Sequence, residues 1–276
     1  MTLSALSKKV ERKVERRQIR FETERLMRNK RSEEYETLEE VFDKPTLMTI
    51  YDLLNQGVIG EIYGVVKSGK ESRIYGGVDP EGERIAIKIY LTGSAEFKSG
   101  MLTYIAGDPR FRVVKKSSRS IIYTWAQKEF KNLLRAYESG IPVPKPLHVE
   151  KNVLVMEFIG EDDAPAPTLK DKPPKNPSRM YKILLGYVKS LYTKANLVHS
   201  DLSEYNIMNL NKKPVIFDMS QSVHVEHPRA DEFLLRDLKT LNRFFEKLGV
   251  KVKNTDSLYK WVVRDEHAKH TRQNSY

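Results

Sequence analysis

Asp201, Asn206 and Asp218 are the residues whose types and spacing point most directly to chemistry. They lie in Leu197-Val-His-Ser-Asp-Leu-Ser-Glu-Tyr-Asn-Ile207 and in Val215-Ile-Phe-Asp218, which read as strand, sharp loop, strand, and an acid closing the second strand. Phosphoryl transfer needs such parts: one carboxylate facing an acceptor hydroxyl, and a carboxylate with an amide oxygen to hold Mg²⁺ against phosphates. Taken singly, each is an ordinary loop residue closing an Asx-turn. In this order and spacing they read as a catalytic loop, with Asp201 for the acceptor and Asn206 and Asp218 for the metal. Ser203 and Glu204, inside the loop, either touch a terminal phosphate or only shape the turn.

The spacing His199-x-Asp201, four residues, Asn206, then Asp218 resembles the catalytic and metal-binding loops of protein kinases. A second resemblance lies upstream. Arg84-Ile-Ala-Ile-Lys-Ile-Tyr90 alternates, with Ile85, Ile87 and Ile89 on one face and Ala86, Lys88 and Tyr90 on the other. Ile85-Ala-Ile-Lys88 is similar to the third-strand motif of kinases, which implies that Lys88 contacts the α- and β-phosphates and is held by a carboxylate on the next helix. Trp125-Ala-Gln-Lys-Glu-Phe-Lys-Asn-Leu-Leu-Arg-Ala-Tyr137 has helical period through Ala126, Phe130, Leu133, Leu134 and Tyr137, and ends before Gly140 and Pro142. Glu129 on this helix is the expected partner, ahead of Glu138 at the fraying end. His199 is expected to hold the loop by hydrogen bonding and not to act as a base.

The departures from common kinases are as informative as the matches. Ser200 stands where an arginine is usual, Asp218-Met-Ser-Gln221 replaces Asp-Phe-Gly, and only a short stretch precedes the next helix near Arg229. A phosphorylatable activation loop has no room there. Together with Ser68-Gly-Lys-Glu-Ser-Arg-Ile-Tyr75 and Ile89-Tyr-Leu-Thr-Gly-Ser-Ala-Glu-Phe-Lys98, these segments resemble the Rio atypical serine protein kinases, and within them the first Rio subfamily. The resemblance runs from about Thr46 to about Leu248. It implies an α/β (α+β), two-lobed kinase-like fold, with a small antiparallel-sheet lobe and a mainly helical large lobe. It implies ATP and Mg²⁺ as cofactors, with Mn²⁺ possible, and a nucleotide loop at Ser68, Gly69 and Lys70, whose spacing alone indicates only a turn. It also implies a role in small ribosomal subunit maturation, and self-phosphorylation in the flexible loop, for which Ser117 and Ser118 among Lys115, Lys116 and Arg119 are the candidates. Two other readings stay open: an ATPase switch on pre-ribosomal particles, and a small-molecule phosphotransferase, since aminoglycoside and choline kinases share the loop spacing.

The elements that must position these residues divide the chain into four. Residues 1–45 form a basic helical extension. Residues 46–160 form the small lobe, with a helix over Asp43–Leu54, strands near Gly64–Val66, Arg73–Val78 and Arg84–Tyr90, a long polar stretch over Leu91–Tyr123 expected to be mobile, and the Glu129 helix. Its hinge is Val153-Leu-Val-Met-Glu-Phe-Ile-Gly160, where backbone groups of Glu157 and Ile159 face the adenine with Met156 behind it. Residues 161–250 form the large lobe, with helices over Ser178–Ala195 and Phe233–Leu248. Arg236 and Asp237 there either brace the catalytic loop or pair at the surface. Residues 251–276 are a basic tail.

The net charge is +11, from 48 basic and 37 acidic residues. It gathers at the ends: residues 8–31 hold eleven Lys or Arg against four Glu, and Lys251, Lys253, Lys260, Arg264, Lys269 and Arg272 follow near the C-terminus. Such runs are solvated helices or contacts to RNA or ribonucleoprotein phosphates. The chain has no cysteine, which excludes disulfides and cysteine metal sites and fits a reducing, cytoplasmic interior. No segment has the apolar length of a membrane span, so no membrane contact is expected. His224 and His227 lie in a loop without the accompanying cluster of acids that a metal site needs.

Overall fold

The computed structural model describes residue 38 and residues 41–92, 95–111, 117–161, 164–210 and 213–273. Residues 8–31, with most of the expected N-terminal charge, lie outside them. Met48–Tyr276 is one compact unit and holds every site discussed below, while Met1–Leu47 is a separate one. Asp43 starts helix α1 (Lys44–Asn55) by accepting the Thr46 N–H at 3.1 Å.

A five-stranded antiparallel sheet follows: β1 (Glu61–Ser68), β2 (Ser72–Val78), β3 (Arg84–Tyr90), β4 (Pro146–Glu150) and β5 (Val153–Glu157), in the order β1-β2-β3-β5-β4. Strand β3 is central, so both its faces are covered and even Lys88 is buried. Its register pairs Lys88 with Ile74 and with Leu154, which fixes the lysine on the same face as Ala86.

The stretch expected to be mobile is largely helical. Helix α2 spans Ala95–Ile105, and helix α3 spans Ser118–Glu138, starting well before Trp125. Met101, Ile105, Ile121 and Ile122 are buried with Tyr90 and Trp125 in a cluster of their own. Burying side chains of this size contributes about 1.5–3 kcal/mol each, enough to order a segment whose polar composition suggested otherwise. Ser117 is no free loop serine either: its Oγ caps α3 by accepting the Ser120 N–H. Lys115 and Lys116 lie outside the described residues. Helix α3 ends through Gly140, whose φ of +74° only glycine adopts readily.

The hinge leads through the short hairpin β6 (Gly160–Glu161) and β7 (Ala164–Pro165) into the helical lobe. Helices α4 (Pro177–Thr193), α5 (Ala230–Lys247) and α6 (Thr255–Gln273) pack on one another. Helix α4 buries Met180, Tyr181, Leu184, Leu185, Val188 and Leu191, a stripe at helical period. Leu258, Val262 and Val263 of α6 lie in the same core, so the segment read as a basic tail starts as a packed helix. That core runs without a break from Ala86 and Met156 to Phe245.

Candidate active site

Four two- to four-residue strands carry the chemistry. Strand β8 (Leu197–Val198) enters the loop 199–206, and β9 (Ile207–Leu210) leaves it. Strand β10 (Lys213–Ile216) pairs with β9 and runs into a turn containing Asp218 and the 3₁₀ segment Met219–Gln221. Strand β11 (Val223–His224) then returns to pair with β8. Both loops therefore start and finish on the same two ladders, which brings Asp201 and Asp218 to one end of them.

The loop is held against strain. Ser200 and Asp218 have positive φ, 70° and 58°, a conformation costing roughly 1–2 kcal/mol for residues with a Cβ. The Asp237 carboxylate accepts the Ser200 and Leu202 N–H groups at 2.8 and 2.9 Å, and Arg236 donates to the Ser200 carbonyl. Of the two roles open to Arg236 and Asp237, the structure gives the brace. Burial pushes the Asp237 carboxyl up to about 7, against the two N–H donors and Arg236. His199 completes the frame: Nδ1 accepts the Asp201 N–H at 3.3 Å, so Nε2 carries the proton and donates to the Phe217 carbonyl at 3.3 Å. Burial pulls its pKa down to about 4, so the ring is neutral.

Lys88 Nζ lies 2.8 Å from Glu129 Oε1 and 2.9 Å from Asp218 Oδ1. Burial alone would depress its pKa, but Asp218 and Glu129 outweigh that and raise it. Asp218 is drawn down to about 2: burial opposes its charge, and Lys88 and the Ser220 hydroxyl more than compensate. Burial raises Glu129, with Lys88 lowering it in part. Its other oxygen accepts from the Tyr90 hydroxyl. Tyr90 follows Lys88 on the same strand face, so the alternation already contained this partner.

Asn206 donates Nδ2 to Asp201 at both the carbonyl (2.8 Å) and Oδ2 (3.2 Å), and no hydrogen bond engages its amide oxygen among the described residues. That oxygen and the Asp218 carboxylate are the hard donors Mg²⁺ takes, and with one carboxylate the ion would complete its shell with phosphate oxygens and waters. No group of three or more metal-ligating side chains stands among the described residues. The donors present fit a Mg²⁺ carried in by a nucleotide.

Gly69, Lys70 and Glu71 line a cavity of about 200 Å³ with Lys88, Met156 and Asp218. Ser68, Ser203 and Glu204 are not part of its wall, and neither are Asp201 and Asn206. The Ser203 carbonyl accepts the Asn206 N–H and the Glu204 carbonyl accepts from Lys170, so the backbone of both shapes the turn. Glu71 stands in the same nucleotide loop, next to the three residues expected to cover the phosphates. Burial and then Asp218 push its carboxyl up to about 7. Lys67 Nζ sits 5.6 Å from the centre of the Phe217 ring, across the cleft. At the hinge the structure narrows which backbone groups are left to meet an adenine. Glu157 spends its N–H on the Lys145 carbonyl and has only its own carbonyl to offer, while Ile159 spends its carbonyl on Ala166 and keeps its N–H. One acceptor and one donor remain, which suits an adenine edge. A larger hollow of about 700 Å³ lies beside the hinge, walled by Val66, Gly76, Phe158 and Pro165.

Residues 73–258 match the RIO domain. The chain is 43% identical over 234 residues to the RIO-type serine/threonine-protein kinase Rio1 of Methanocaldococcus jannaschii, covering 85% of this chain and 79% of that one. With the Haloferax volcanii protein of the same name it shares 37% over 254 residues, covering 92% and 87%. With human serine/threonine-protein kinase RIO1 it shares 38% over 87% of its own length but only 43% of the human chain. Among solved structures it resembles the Rio2 kinase of Chaetomium thermophilum, seen as an ADP/Mg²⁺-phosphoaspartate complex, with a TM-score of 0.60 at 21% identity over 78% of this chain and 65% of that one. That likeness establishes the two-lobed kinase fold. The sequence matches go further, and by them the chain belongs to the RIO family of atypical serine/threonine kinases, in its Rio1-type subfamily.

Proposed function

We propose that this protein transfers the γ-phosphoryl group of ATP to a serine hydroxyl, with Asp201 as the residue facing the acceptor. The observation that carries this reading is the Lys88 ammonium meeting Glu129 and Asp218 at once in a buried cleft. Held on both sides, Lys88 is fixed where it would meet the α- and β-phosphates. Glycine and lysine of the nucleotide loop would cover the phosphates, and the hinge carbonyl of Glu157 and N–H of Ile159 would take the adenine. Asn206 and Asp218 would hold Mg²⁺, which neutralises charge on the phosphates. Asp201 orients the hydroxyl and receives its proton as the new O–P bond forms and ADP leaves. Most of the rate enhancement comes from positioning and charge placement.

A second reading directs the phosphoryl group to water or to an aspartate, in an ATPase acting on pre-ribosomal particles. The short link between Asp218 and α5 favours it, since it offers little shelf for a peptide. So does the Gln221 amide, 3.5 Å from Asp201 Oδ2, where it can help orient a water. In both readings the basic ends contact RNA or ribonucleoprotein.

The test uses Asp201→Ala and Asp218→Ala with labelled ATP. Asp201→Ala should bind nucleotide within about twofold of the parent and lose turnover by about a hundredfold or more. Asp218→Ala should weaken Mg·ATP binding as well. Near-full turnover in Asp201→Ala overturns the assignment. Acid-stable phosphoserine supports the kinase reading, whereas free phosphate or a hydroxylamine-labile phosphoenzyme supports the ATPase.

A further inference from the structure

Two buried polar side chains on α3 have no part in the site as described above. Lys128 and Asn132 are fully buried and sit one helical turn apart, beside Glu129. Lys128 Nζ donates to the Ser220 carbonyl at 3.0 Å and to the Ser222 carbonyl, and it lies 5.2 Å from the centre of the Trp125 ring. Asn132 Nδ2 donates to the Met219 carbonyl at 2.7 Å and the Ser222 carbonyl at 2.9 Å. Three carbonyls of the turn that follows Asp218 are thus tied to one helix. The tie extends outward: Asn132 Oδ1 accepts from Arg110 at 2.8 Å, and Arg110 forks onto the Asp108 carboxylate at 2.8 and 2.6 Å.

These bonds close a ring. Helix α3 reaches Asp218 from one side through Glu129 and Lys88, and from the other through Lys128, Asn132 and the 219–222 turn. A buried lysine is costly to desolvate, and burial, then the nearby Arg110 charge, holds its pKa well below the ordinary value. A leucine at such a position would fill space without that cost, so packing alone does not call for a lysine. The left-handed backbone at Asp218 needs restraint on its C-terminal side, and the three carbonyls held by Lys128 and Asn132 supply it.

We propose that Lys128 and Asn132 are positioning residues for Asp218, fixing its carboxylate for the metal, with Arg110 as the outer anchor of the brace. The proposal rests on Asp218 being the metal ligand. It implies that α3 and the metal-binding turn move as one body, so that this kinase has no state with the helix swung out while the turn stays in place. It also makes the Asp108–Arg110 segment a point from which the conformation between α2 and α3 acts on the metal.

The experiment measures turnover of the full chain against Mg²⁺ at saturating ATP, nucleotide binding in EDTA, and the thermal unfolding midpoint. Asn132→Ala should raise the half-saturating Mg²⁺ concentration and lower kcat by about tenfold each, as loss of partners behind a metal ligand does. Binding of metal-free nucleotide should stay within about twofold, since no nucleotide contact is removed. Arg110→Lys, which keeps the charge and loses the fork, should shift Mg²⁺ dependence the same way by about two- to threefold, and it covers the case in which Asn132→Ala does not fold. A lowered midpoint with Mg²⁺ half-saturation and kcat within about twofold of the parent overturns the proposal, leaving a packing role only. Asp218→Asn separates the two levels. If it keeps parental Mg²⁺ dependence, the metal-ligand reading itself fails. If it loses that dependence while the Asn132 and Arg110 variants do not shift it, only the brace fails.

Discussion

His199 illustrates how a residue named by a motif acts through its neighbours. With Nδ1 accepting the Asp201 N–H and Nε2 donating to Phe217, it joins the two loops while neutral. Its folded pKa of about 4 lies below the ordinary 6.5, so the unfolded chain takes up the proton first as pH falls. The stability from the neutral ring is whole above pH 6.5, declines through the window down to pH 4, and levels off below it, for a total of about 3 kcal/mol. Asp237 and Glu71, raised to about 7, act in the opposite sense, adding stability as pH falls from 7 toward their unfolded values. They are common to parent and variant, so the difference between parent and His199→Gln isolates the histidine. Denaturant unfolding at pH 7.5, 5.5 and 4 should find the variant less stable at pH 7.5 and the gap closing by pH 4. Parallel curves would mean that the ring is not held neutral in the folded protein.

Elements were legible in the sequence in proportion to how locally they are specified. Strand β3 follows from its alternation, and the loop around Asp201 and Asn206 from a spacing of five residues. Helix α2 and the first turns of α3 do not: their apolar residues are interleaved with Ser, Gly and charged residues, and what orders them is a cluster with Tyr90 and Trp125. The brace from Lys128 and Asn132 was equally hidden, because its acceptors are backbone carbonyls some 90 residues away that any sequence would offer. The extent of α3 also changes the candidate sites of self-phosphorylation. Ser117 is exposed and already serves as the cap acceptor, and a phosphate there keeps that acceptor while adding charge at a helix N-terminus, where negative charge is favoured. Peptide mapping after incubation with Mg·ATP should therefore find phosphate at Ser117 or Ser118 in the parent and not in Asp201→Ala. Phosphate confined to other peptides, or equal in both proteins, would remove this helix start as a self-modified element.

At the scale of the whole molecule, the charge gathers toward the two ends of the sequence. The +11 excess is far more than one nucleotide needs, and much of it lies in residues 8–31, outside the compact unit Met48–Tyr276 that holds the cleft. At the other end, Lys251, Lys253, Lys260 and Arg264 stay exposed while Leu258 and Val262 of the same segment are buried, so this end can present cations without unfolding. Clustered cations bind nucleic acid by releasing counterions, and each phosphate neutralised steepens the fall of log K with log salt by about 0.7–0.9. Deleting residues 1–35 removes eleven basic side chains against the Glu residues among them. If they contact RNA, binding of a ribosomal RNA fragment should weaken and its salt slope should flatten by about three or more. ATP turnover should stay within about twofold, because no cleft residue is removed. A duplex of unrelated sequence should lose affinity in parallel, since phosphate contacts carry no base information. An unchanged salt slope would return those side chains to a solvated helix face with no part in RNA binding.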